Sequence, residues 1–166
     1  FNWLYTLIAV LNLLMPIAVL VAAVNNYVFT FPIKFILVFV LIWLIVAFAS
    51  WVGFQLWWDR SKKVAEISEK GDDFVATPVF AHFIQTFGEW LGTWIAIVGT
   101  TTALLVPIVL GSEGRSLMYA LGFSFLSLEI SAIILMPVYG FLIIVCSRVT
   151  AELFRALTAI ANNTKK

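Results

Sequence analysis

One carboxylate in this sequence stands where carboxylates are costly. Glu129 falls within an apolar run over 117–147, two to three residues from its midpoint. At 1.5 Å per residue that is about 4 Å from the centre of any bilayer the run crosses. A charge at such depth costs about 2.5–3.5 kcal/mol on insertion scales, so the group must be protonated, paired or facing water. Asn12 and Thr100 fall at comparable depth in two other apolar runs, and Glu89 lies nearer the inner end of the third. If they converge, Glu129, Asn12 and Thr100 make a midplane polar cluster, with Glu89 a lesser participant, suited to moving a proton or cation. The competing reading is a neutral Glu129 hydrogen-bonded to Asn12 or to a hydroxyl such as that of Ser127, holding the register of the bundle. Interhelical polar contacts average only about 0.6 kcal/mol. Pumps and antiporters usually carry several buried ionisable groups, and a single one at mid-depth weakens the transport reading.

Other chemistry finds little support. His82 is the one histidine, so a bis-histidine haem is excluded within the chain and a metal site would lack ligands. Glu89 follows seven residues later on the same face, an arrangement suited to an interfacial polar anchor or to proton entry. Cys146 is the one cysteine and has no base near it in sequence. The Ser, Thr and Gly residues around 99–102 and 111–116 form no phosphate loop, and no His/Asp/Glu set is spaced for an enzyme acting on lipid. No catalytic residue, metal or cofactor is expected, and a net charge of +1 argues against nucleic acid.

The elements that position these residues are four apolar runs, roughly 3–29, 33–57, 88–110 and 117–147. Each is long enough for a bilayer, which needs about 20 apolar residues. With 63 % hydrophobic and 11 % charged residues among 166 and a mean hydropathy of +1.05, the chain lies outside the soluble range. The expectation is an all-α, four-transmembrane-helix bundle with a cytoplasmic amphipathic C-terminal helix extension. It forms a single polytopic domain over 1–166, with helices at about 3–29, 33–57, 78–110 and 117–163. Eight of the ten Lys and Arg residues fall on the side of the termini and the 59–76 loop, leaving Lys34 and Arg115 opposite. By the positive-inside rule, both termini are cytoplasmic. The chain opens at Phe1 rather than Met, so a few residues are expected to precede it. The first run is too long for a signal-peptide core and lacks a basic leader, and it reads as a retained helix.

Trp3, Tyr5, Tyr27, Trp57 and Trp58 mark headgroup levels. Pro16 interrupts the first helix, Pro32 opens the second, and the second, nearly pure hydrocarbon, faces lipid over much of its circumference. The 59–76 loop carries Glu66 and Lys70 at i,i+4, which supports a helical extension ended by Gly71. It is otherwise a solvated loop or a docking site for a soluble partner. Residues 78–87 either lie in the interface or extend the third helix straight. In that helix Gly88, Gly92 and Ala96 recur every four residues, with Gly99 three further on. This small-residue spacing makes a close helix-packing interface, in the bundle centre or between subunits. Arg148 and Glu152, at i,i+4, form an ion pair at the inner boundary. Beyond them Leu153, Leu157 and Ile160 share one side of the tail.

The tail Arg148-x-x-x-Glu152, with Ile160 and Asn163 after a glycine-containing apolar helix, resembles the end of a family of small bacterial membrane proteins of unknown function. The resemblance covers about 136–163 and implies a bacterial inner membrane; those proteins have two spans and this chain has four. The function expected is that of a non-enzymatic membrane protein, a homo-oligomer or an accessory subunit of a larger membrane complex. Its partners would be the bilayer, copies of itself or other membrane subunits. The alternative is a proton- or cation-conducting unit built on Glu129.

Overall fold

The structure is a computed structural model that describes residues 2–69, 76–120, Gly122 and 130–164. Among these residues it is all-helical, with four helices long and apolar enough to cross a membrane. α1 (Asn2–Asn25) runs through Pro16 without ending. Its buried side chains Tyr5, Ala9 and Asn12 recur at i, i+4 and i+7, one helical face. The helix ends where Tyr27 adopts a left-handed conformation (φ 54°), the position glycine usually fills after a helix. A single 3₁₀ turn, Val28–Thr30, then reverses the chain into α2 (Ile33–Glu69). α1 and α2 form an antiparallel hairpin, stapled where the Trp43 indole N–H donates to the Pro16 carbonyl (2.9 Å).

α2 is 37 residues long, about 55 Å at 1.5 Å per residue, well beyond a bilayer's hydrocarbon core of about 30 Å. Much of the expected 59–76 loop is therefore helix. Residues 59–69 continue α2, with Ser61 and Val64 buried, while 70–75 lie outside the described residues. α3 (Ala76–Trp94) is continuous through 78–87, so this stretch extends the helix straight rather than breaking at Gly88. It passes through a π turn, Ile95–Gly99, into α4 (Thr100–Ala120).

α4 is broken at Gly111 (φ 56°, ψ −127°), a conformation open to glycine and hostile to other residues. Beyond the break the chain doubles back: a Cβ on Gly114 would lie 2.7 Å from Val106 Cγ1 and 2.8 Å from the Val106 carbonyl oxygen. The expected turn at 111–116 is thus helical apart from Gly111, and residues 117–120 belong to α4. The last described helix is α5 (Ile130–Thr164), in place of one spanning 117–163. The apolar continuity of 117–147 hides this reversal, because a glycine break leaves mean hydropathy unchanged.

Three apolar clusters fill the bundle along its length. Val38, Ala103, Val106, Leu110, Met118, Ala132 and Met136 pack at one end. Val46, Ala49 and Val98 lie between. Tyr5, Ala9, Trp57, Val64 and Val79 pack at the end that carries most of the cations, here called the inner end. α3 is central, meeting both α2 and α5, and its contact with α5 is the most extensive in the molecule.

Candidate functional site

Small residues set the α3–α5 distance. A Cβ on Gly88 would overlap the Ser147 side chain, and one on Gly92 would overlap the Gly140 carbonyl. Added to Gly140, it would lie 2.9 Å from the Ala96 Cβ; on Gly99, 2.8 Å from the Met136 sulfur. Gly88, Gly92, Ala96 and Gly99 therefore face α5 of the same chain. That close approach brings the inner turns of α3 against Arg148 and Arg155.

At this junction sits Glu89, its side chain 8 % exposed. Its Oε2 accepts from Arg60 Nη2 of α2 (2.7 Å). Its Oε1 accepts from Arg148 Nε (2.9 Å) and Nη2 (2.8 Å) of α5, and from Gln85 Nε2 (3.0 Å). Gln85 Oε1 in turn accepts from Arg155 Nη2 (2.6 Å). One buried carboxylate thus ties three helices together through charge-assisted hydrogen bonds, about twice as strong as neutral ones. Two guanidiniums on one carboxylate leave the layer with residual positive charge.

An aromatic layer lies beside it. The Tyr5 hydroxyl and His82 Nδ1 are 3.2 Å apart in a hydrogen bond whose direction follows the imidazole tautomer. The Thr86 hydroxyl donates to the His82 carbonyl (2.8 Å), and Tyr5 packs on Trp57 with ring centroids 5.2 Å apart. Two turns outward of the Tyr5–His82 pair, Asn12 Oδ1 accepts from Trp90 Nε1 (2.8 Å). Asn12 Nδ2 donates to the Ile8 carbonyl (2.9 Å). Gly53 makes this meeting of α1, α2 and α3 possible, since a Cβ there would stand 2.6 Å from Asn12 Oδ1 and 2.8 Å from Trp90 Nε1.

The expected midplane cluster does not form as drawn. Asn12 is level with Trp90, whereas Thr100 lies ten residues further along the same helical path, about 15 Å at 1.5 Å per residue. The Thr100 hydroxyl is buried without a hydrogen-bond partner, as are those of Ser50 and the indole N–H groups of Trp57 and Trp94. Glu129 lies outside the described residues. Arg148 binds Glu89 of α3 rather than Glu152, which is exposed. The carboxylate of α3, in direct contact with Arg148 though 59 residues away in sequence, competes successfully because it is buried and lacks water as an alternative partner.

Sequence reasoning missed Arg60, Gln85, Arg155 and Trp90 as members of this site. A signal existed in the i,i+4 spacing of Gln85 and Glu89 beside His82. The arginines read only as topology charges. Among the described residues, no three His, Cys, Asp or Glu side chains come together to hold a metal ion. Comparison with known proteins finds no match: no family model, no curated protein and no solved structure resembles this chain. Fold and site define a class, a protein all-helical among the described residues, with four candidate membrane-spanning helices, three of them joined at one end by a buried, arginine-clamped carboxylate.

Proposed function

We propose that this chain is a non-enzymatic integral membrane protein that serves as an accessory subunit of a larger membrane complex. It spans a bacterial inner membrane four times, with both termini and the Glu89 end cytoplasmic. The observation that carries the reading is the inner half of α5. This helix has 35 residues, about 52 Å, where a span needs about 20 residues. Its surplus carries Val149, Leu153, Leu157 and Ile160, each more than half exposed, at i,i+4 and i,i+3 spacing on one face. Below the arginines, such a stripe is covered by a membrane surface or by another polypeptide. The inner extension of α2 projects at the same end and offers a second docking element.

Self-association loses the support expected of helix three, since its glycine face is occupied by α5 of the same chain. Conduction gains nothing from Glu89, whose carboxylate charge is already neutralised by two guanidiniums. The test is native mass spectrometry of the protein extracted from its host in a mild detergent. An accessory subunit travels with other polypeptides at fixed stoichiometry and loses them in Leu153→Glu/Leu157→Glu. Multiples of 18.6 kDa alone would replace this reading with self-assembly. Intact assembly with ion flux abolished by Glu129→Gln would replace it with conduction.

A further inference from the structure

The accessory reading leaves one feature unused, a cleft on the side of the bundle. α3 packs against both α2 and α5, whereas α2 and α5 scarcely meet across it. Between them lies a cavity of about 210 Å³, several times the roughly 30 Å³ that a water molecule occupies. Its outer part is lined by Ala49 and Val52 of α2, Thr93 and Trp94 of α3, and Ile144 of α5. Its inner end carries Arg148 and Glu89. The apolar length of the cleft therefore terminates at a cation.

The charge of that cation is not used up. Arg148 meets Glu89 through Nε and Nη2, while 57 % of its side chain stays exposed. Glu89 is shared with Arg60. The Arg60–Glu89–Arg148 set therefore carries a net positive charge, and Arg148 keeps free donors on its outer edge. Depth points the same way. Arg148 is the first charged residue of α5, after the uncharged and largely apolar stretch 130–147. Arg148 then lies near the edge of a hydrocarbon core of about 30 Å, at the level of lipid phosphates. Exposed Trp58 of α2 lies near the same level, where indoles favour the interface.

We infer that the α2–α3–α5 cleft binds one anionic phospholipid of the inner leaflet, its phosphate on the outer edge of Arg148 and an acyl segment along Val52, Thr93, Trp94 and Ile144. The net positive charge of the Arg60–Glu89–Arg148 set favours an anionic headgroup over one that carries its own cation. The inference rests on the bilayer-spanning reading and not on the accessory role.

The test uses the full chain purified in detergent and exposed to equimolar phosphatidylglycerol and phosphatidylcholine, with bound lipid read by native mass spectrometry. One phosphatidylglycerol per chain is expected, at least fivefold over phosphatidylcholine. Arg148→Gln should lower that retention about tenfold. Arg148 also holds Glu89, so the second variant is Val52→Trp, which fills the cleft and leaves every charge in place. It should lose lipid to the same degree while its melting temperature without added lipid matches the parent. Equal retention of the two lipids, or retention unchanged in Val52→Trp, overturns the site. Release of the parent from membranes by alkaline carbonate overturns the spanning reading and the site with it. A carbonate-resistant chain that binds no phosphatidylglycerol overturns the site alone.

Discussion

The two ends of the bundle hold their charges in opposite ways. At the inner end Glu89 is buried and bonded to Arg60, Arg148 and Gln85, so α2, α3 and α5 converge on one carboxylate. At the outer end Lys34 and Glu113 meet at 2.5 Å with side chains 43 % and 53 % exposed, beyond the reversal at Gly111. Both are ion pairs between elements distant in sequence. They differ in what replaces the partner when it is lost. Water re-solvates Lys34 or Glu113, whereas a buried carboxylate or the guanidiniums on it have no such substitute. Distance alone therefore says little about what an ion pair contributes.

The largest effect expected from this contrast is at Glu89. Glu89→Gln keeps the shape and removes the charge that two guanidiniums share. Breaking a buried pair in this way costs about 3–5 kcal/mol, so thermal unfolding in detergent should begin far below the parent. An unchanged melting temperature would remove the inner lock from the account. Next comes the close approach that delivers Arg148 to Glu89. Gly92→Ala places a methyl against the Gly140 carbonyl, backbone that cannot rotate aside, and overpacking of this kind costs about 1–3 kcal/mol. Crosslinking between cysteines placed on α3 and α5 should slow accordingly, and an unaffected rate would mean that α3 and α5 have room to spare. The smallest effect is expected at the outer end. Lys34→Ala should change stability by no more than about 1 kcal/mol, the ordinary worth of an exposed pair. A loss comparable to that of Glu89→Gln would erase the distinction between the two ends.

Different parts of this design were visible at different levels. Runs of apolar residues revealed the helices near Asn2–Asn25 and Ile33–Trp57, because a long apolar segment satisfies its backbone only as a helix in lipid. The spacing of Gly88, Gly92, Ala96 and Gly99 identified a face able to approach another helix closely. It did not say which helix, since glycines specify closeness and not a partner. Gly111 carried no hydropathy signal, and the reversal after it places residues 117–120 in α4 rather than in the last helix. Arg148 illustrates the same limit at the site. Glu152 is its neighbour one turn away, yet its partner is Glu89, 59 residues earlier.

Local sequence therefore determined the presence and apolar character of the four long helices, and the clustering of cations at one end. These follow from the composition of contiguous segments in contact with their surroundings. Only the tertiary structure decided which carboxylate the arginines bind and that Asn12 meets Trp90 rather than Thr100. It also decided that the glycine face is consumed within the chain. Each of those outcomes depends on helix rotation and stagger, quantities set by how side chains of separate segments fill a shared interior.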